Sequence, residues 1–214
     1  MKHQGEGAPS GRADFRLHAP ATARNRDAIL EKVGGLVAGD DRVLEIGSGT
    51  GEHAVHIARQ MPDLVWQTSD PDPTMRASTQ AWIDHTGVTN VREPLSLDCG
   101  VDGWWREVEV EPDLVIAINF THIVPIACTD GLLAGASALL HPQGLLALYG
   151  AFTFNGVYSA ATNRSFDRML RQQNAAWGLR DLNDISASAN RHGLKLDKII
   201  AMPSNNHMVT LQHA

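Results

Sequence analysis

The residues with the most chemical content lie in Val43-Leu44-Glu45-Ile46-Gly47-Ser48-Gly49-Thr50-Gly51. Glycines directly after an apolar run leave bare backbone at a strand-to-helix turn, and a helix N-terminus draws electron-rich ligand atoms to its free N–H groups. Glu45 stands two places before the first glycine, and a second acid, Asp70, closes the next apolar run. A carboxylate there can accept hydrogen bonds from both hydroxyls of a ribose. A third acid, Asp98, ends Leu95-Ser96-Leu97-Asp98-Cys99, from where it can accept a hydrogen bond from an exocyclic adenine amine. The fourth apolar run ends in Asn119-Phe120-Thr121-His122. Together these run ends point to a nucleoside ligand held at one edge of a sheet.

The rest of the chain supplies elements that would bring those ends together. Pro20 opens a predicted helix that closes at Gly34-Gly35, and strand 42–46 leads through the glycines into a helix carrying Ala54, Val55, Ile57 and Ala58. Strand 64–69, helix 74–86, strand 91–97, strand 114–118, helix 125–140 and strand 145–149 follow. Strands alternating with helices predict a parallel α/β sheet covered on both faces. The rhythm breaks over 151–180, where Phe152, Phe154, Tyr158, Phe166 and Trp177 punctuate polar residues around a helix expected near 162–176. A segment of this length in a compact domain suits a lid over a binding site. After a helix near 181–192, two β-like runs at 194–202 and 207–212 are joined by Pro203-Ser204-Asn205-Asn206, too short for a crossover, so they must form an antiparallel hairpin.

Composition narrows the function classes. The 214 residues carry 18 Lys and Arg against 24 Asp and Glu, a net charge of −6, with no basic run, which argues against nucleic acid and anionic membranes as partners. Two separated cysteines, Cys99 and Cys128, fit a reduced, cytoplasmic setting. Residues 1–17 read as a flexible tail without the apolar stretch of a leader, and 18–214 as one domain. His53 and His56 lack a third metal ligand at a recognisable spacing, so no metal is expected. Neither Gly-x-Ser-x-Gly nor a lysine after the glycine loop occurs, which removes serine hydrolases and phosphate-loop ATPases.

Through Glu45 to Gly51, Asp70, Asp98 and the closing hairpin, the sequence resembles the class I S-adenosylmethionine-dependent methyltransferases. Within them it is similar to a small methyltransferase-like family, through Ala23-Arg24-Asn25, Gly49-Thr50-Gly51-Glu52-His53-Ala54, Trp66 to Pro73, Trp177-Gly178-Leu179-Arg180-Asp181 and Met202-Pro203-Ser204-Asn205-Asn206. The resemblance implies a Rossmann-like doubly wound sheet of seven strands, the last antiparallel. It implies that Glu45 and the backbone of Gly47, Ser48, Gly49 and Gly51 hold the methionyl part and ribose, that Asp70 with Pro71 behind it takes the ribose hydroxyls, and that Asp98 and Cys99 meet the adenine. Asn119 would lie near the sulfonium, and Asn25 on the first helix can meet the methionyl carboxylate. His122 is the candidate base, with a small molecule as acceptor and S-adenosylhomocysteine as product; the protein would be a monomer or homodimer. The Asn-Pro-Pro-Phe/Tyr motif of methyltransferases acting on amide or adenine nitrogens is absent, since Phe120-Thr121 follows Asn119. Two alternatives stay open: an NAD(P)-dependent oxidoreductase, disfavoured because Glu52 stands where its fingerprint wants glycine, and a cofactor-binding protein without turnover.

Overall fold

The computed structural model describes residues 14–214. Its frame is a seven-stranded sheet in the order β3-β2-β1-β4-β5-β10-β9, built from β1 (Arg42–Ile46), β2 (Val65–Ser69), β3 (Val91–Leu95), β4 (Leu114–Ile118), β5 (Leu145–Gly150), β9 (Leu194–Met202) and β10 (Asn206–His213). β10 runs antiparallel to both β5 and β9, while the pairings of β1 with β2 and β4, of β2 with β3 and of β4 with β5 are parallel. The expected seven-stranded, doubly wound sheet with an antiparallel last strand is therefore present. β10 is inserted between β5 and β9, so the final hairpin does not simply extend the sheet at its edge.

Alternate residues of each central strand feed two apolar layers. Leu44, Ile46, Val115, Ala117, Leu146 and Leu148 face α4 (Ile126–Leu139) and α6 (Leu182–Arg191). Val43, Leu114, Ile116, Ala147 and Met208 face α1 (Pro20–Val33), α2 (Glu52–Gln60) and α3 (Pro73–Thr86). Both faces being buried explains why the strands read as continuous apolar runs rather than alternating ones. None of the helices among the described residues is long and apolar enough to cross a membrane.

Local chemistry sets the helix ends. Asp72 caps α3, its carboxylate accepting from Thr74 N–H at 2.7 Å with Pro73 in the first turn, and Gly87 at φ 66° closes it. β3 stops at Leu95, shorter than the expected 91–97: it is an edge strand containing Pro94, and its register slips against β2. Of the expected tail, residues 1–13 lie outside the described residues. Leu17 N–H donates to Ser78 Oγ at 2.9 Å, Trp82 Nε1 donates to the Leu17 carbonyl, and Arg16 stacks over the Trp82 ring.

The segment between β5 and α6 has a small sheet of its own, β7-β6-β8, from β6 (Phe152–Phe154), β7 (Val157–Tyr158) and β8 (Arg180–Asp181), together with α5 (Ala161–Gln173). Asn155 and Gly156, at φ 53° and 74°, form the two-residue turn between β6 and β7, the backbone a tight hairpin demands. Ala151, Leu170 and Leu179 make its core, with Tyr158, Phe166 and Trp177 against them.

Candidate functional site

Because β1, β2, β4 and β5 are parallel, Gly47, Asp70, Asn119 and Gly150 all emerge at one edge. Strand order reverses between β1 and β4, where open α/β sheets bind ligands. The glycine loop spans that point. At Gly47 (φ 67°) a Cβ would stand 2.7 Å from the Phe120 ring, and at Gly51 (φ 86°) 2.6 Å from Thr79, so both glycines serve close packing. Gly49 (φ 56°) is different: the space a Cβ would fill is open, which gives a ligand direct access to the backbone.

The loop donors are mostly engaged within the protein. Ser48 N–H goes to Ser69 O at 2.8 Å, Gly51 N–H to Ser48 O at 3.1 Å, and Gly49 N–H to Asp70 Oδ2 at 3.0 Å. What the loop offers is thus an open surface above Gly49 rather than a row of free donors. Asp70 is only 8% exposed; its Oδ1 accepts from Asp72 N–H at 2.9 Å, and burial raises its pKa. Each carboxylate oxygen still has a lone pair to spare. Since Asp72 caps α3, Asp70 is not used as the cap, and Arg76 holds the Asp70 and Pro71 carbonyls at 2.8 Å.

Glu45 lies beneath the loop, on the strand face shared with Val43. At 1% exposure it accepts from Trp66 Nε1 at 3.0 Å, and burial lifts its pKa to about 7. Its carboxylate is therefore held by Trp66 beneath the loop rather than in the open crevice, while Ser48 Oγ accepts from Ser69 N–H at 3.1 Å. Asp98 is exposed beyond β3, with Oδ1 capping Gly100 N–H at 2.8 Å. The Cys99 side chain faces the core beside Leu97 and Trp104, its carbonyl lies against Gly131 of α4, and burial pushes its thiol up.

On the other side of the switch point lies a cavity of about 580 Å³, lined among others by Arg24, Asn25, Asn119, His122, Tyr149 and Phe166. Three sequence-predicted residues, Asn25, Asn119 and His122, therefore share one space. Asn119 sits at φ 56°, a left-handed conformation that asparagine tolerates better than most side chains, and its N–H donates to Tyr149 O at 2.8 Å. His122 is 3% exposed, its ring edge-on to Phe166, and its Nδ1 has no hydrogen-bond partner. Burial, with Arg180 nearby, lowers its pKa to about 4, so the imidazole is neutral near pH 7. Gly150 makes room for it: a Cβ there would stand 3.2 Å from His122 Nδ1.

The sequence reading missed the groups that hold this cavity in shape. Arg180 donates to the Thr121, Val124 and Ala176 carbonyls, and Gly178 N–H donates to His122 O at 3.0 Å, which straps the His122 loop to the inserted segment. Asn163 Nδ2 donates to Asn205 O at 3.0 Å, tying α5 to the β9–β10 turn, where Ser204 and Asn205 both have φ near 60°. Tyr149, closing an otherwise apolar strand at the same edge as Asn119, was the available signal.

The sheet order and the site at its switch point define the class I S-adenosylmethionine-dependent methyltransferase fold. The chain matches, over residues 16–213, the family described as "Protein of unknown function (DUF938)", and it belongs to that family. Among solved structures it is similar to an O-methyltransferase family protein from Burkholderia thailandensis, with TM-score 0.76 and 16% identity over 91% of this chain and 56% of that one. It is similar to CalO1, a methyltransferase in calicheamicin biosynthesis in its SAH-bound form, with TM-score 0.74 and 15% identity over 91% of this chain and 54% of that one. A third is an O-methyltransferase family 2 protein from Planctomyces limnophilus in complex with apigenin, with TM-score 0.70 and 16% identity over 88% of this chain and 62% of that one. The chain thus spans little more than half the length of these proteins.

Proposed function

We propose that the protein is a methyltransferase that uses S-adenosylmethionine and acts on a small molecule. The observation that carries this reading is the open space over Gly49, flanked by the Asp70 carboxylate that the Gly49 N–H itself fixes. The residues fit the cofactor: Gly49 allows close approach, Asp70 has lone pairs for two hydroxyls, and Asn25 and Asn119 face the neighbouring cavity. When bound, S-adenosylmethionine supplies a methyl group already activated by its sulfonium, so alignment contributes most of the effect the protein must provide. In this reading Glu45 and Ser48 stiffen the loop, and Asp98 lies toward the adenine end, beyond β3.

His122 is the base. It lines the cavity, is neutral at ordinary pH, and has an unpartnered ring nitrogen able to take a proton. A base with so low a pKa takes that proton only as the new bond to carbon forms, which suits a hydroxyl acceptor. Phe166, Asn163 and Thr162 make α5 one wall of the acceptor pocket. The alternative of an NAD(P)-dependent oxidoreductase loses support from the antiparallel β10 between β5 and β9, since dinucleotide-binding sheets run 3-2-1-4-5-6 in order.

Calorimetric titration with S-adenosylmethionine, S-adenosylhomocysteine and NAD tests the reading. Saturable binding of the first two without the third is expected. Binding of NAD alone, or of none, overturns it.

A further inference from the structure

The cavity beside His122 has one consistent polarity. No Asp or Glu lines it among the described residues, although the chain carries an acidic excess, and its permanently charged lining residue is Arg24. A second donor is preset at Tyr149. A tyrosine hydroxyl both accepts and donates a hydrogen bond. Its accepting side is taken, since Asn206 Nδ2 donates to it at 3.1 Å. The Asn25 Oδ1 is engaged with His53 Nε2 at 2.9 Å. The Tyr149 proton is therefore left with no acceptor among the described residues, on a side chain 2% exposed that lines the cavity. A buried donor in that position calls for an acceptor oxygen from a ligand.

We propose that this cavity binds an acceptor carrying an anionic oxygen group, a carboxylate or a phosphate, held by the Tyr149 hydroxyl and the Arg24 guanidinium. The assignment deepens the methyltransferase reading and rests on it for the nature of the second ligand. A cationic amine would find no counter-charge here, and burying an unpaired charge is costly. A neutral carbonyl can accept from Tyr149 but brings no charge to meet Arg24, so it gains only the weaker, uncharged hydrogen bond. An anion satisfies both donors, with Phe166 as the apolar wall beside it.

The test uses four probes of similar size, benzoate, phenyl phosphate, benzamide and benzylamine, titrated by NMR into the full chain with and without S-adenosylhomocysteine. Benzoate or phenyl phosphate is expected to bind at least about tenfold more tightly than benzamide, with benzylamine weakest, and the tighter of the two names the anion. Tyr149→Phe should weaken anion binding by about tenfold and leave S-adenosylhomocysteine affinity at the parent value. Benzamide or benzylamine matching the anions, or anion binding unmoved by Tyr149→Phe, overturns the proposal. Arg24→Gln separates two sources of carboxylate. Lost anion affinity with S-adenosylhomocysteine still bound supports the acceptor site, whereas lost S-adenosylhomocysteine with anions still bound assigns Arg24 to the cofactor and overturns it. If the parent chain ranks the anions first but never binds S-adenosylhomocysteine, the methyltransferase reading falls and the anion site stands.

Discussion

The Asn206 side-chain amide donates to the Tyr149 hydroxyl at 3.1 Å, joining the β9–β10 turn to the end of β5 across 57 residues of sequence. One of the segments by which the sequence resembles its relatives, the hairpin turn, is thus anchored on β5 through Asn206.

Removing that oxygen strands the Asn206 amide donor. Tyr149→Phe is expected to lower unfolding free energy by about 1–3 kcal/mol, the cost of leaving buried donors unsatisfied. Denaturant titration measures it, and a variant as stable as the parent would mean that the amide finds a new partner.

The cofactor half of the site is tested at two places. Asp70→Asn should weaken S-adenosylhomocysteine binding by roughly 10- to 100-fold, about 1.5–3 kcal/mol for a charged hydrogen bond. Gly49→Ala, with a Cβ in the open space at φ 56°, should abolish binding while costing the fold about 1–2 kcal/mol. Calorimetry and thermal melts separate the two effects.

Buried ionisable groups set opposing pH slopes. Glu45 is raised from 4.5 to about 7, so its contribution is fully present below 4.5 and lost as pH rises through 7. His53 and His122 are lowered from 6.5 to about 4, so theirs is present above 6.5 and lost as pH falls through 4. Glu45→Gln should therefore match the parent near pH 4.5 and exceed it at about pH 8 by on the order of 2–3 kcal/mol, read from melts across that range.

Arg180→Ala removes the strap on the His122 loop. A loss on the order of 2–3 kcal/mol is expected, and Arg180→Lys should restore little, because a single ammonium cannot span carbonyls that a guanidinium fork reaches together. Loss of the nearby positive charge should also raise the His122 titration above about 4, a change visible in its ring proton resonances.

The main sheet is legible because its strands are buried on both faces and punctuated by glycine, proline and caps; the expected strand ends lie within one residue of those observed except at β3, which stops two residues short. The inserted sheet is not, since β6, β7 and β8 are two or three residues long and the β6–β8 pair joins positions far apart in sequence. Its one local signal was Asn155-Gly156. At the site, the edge positions Asp70, Asn119 and His122 follow from where strands end. The inward turn of Cys99 and the burial of Glu45 under its own loop depend on layer packing, which residue type alone does not reveal. The Tyr149 network is likewise built from long-range contacts of ordinary asparagines.

β10 comes last among the strands yet lies inside the sheet, between β5 and β9. During synthesis β9 emerges first and has no neighbour to pair with until residues 206–213 arrive, so one flank of the sheet must stay open until then. The wall of the cavity formed by the hairpin turn is completed in that same event. The cavity beside His122 is in this way closed out of step with the opposite side of the switch point: a nascent chain can form the glycine loop and its acidic partner well before the hairpin turn that walls the cavity.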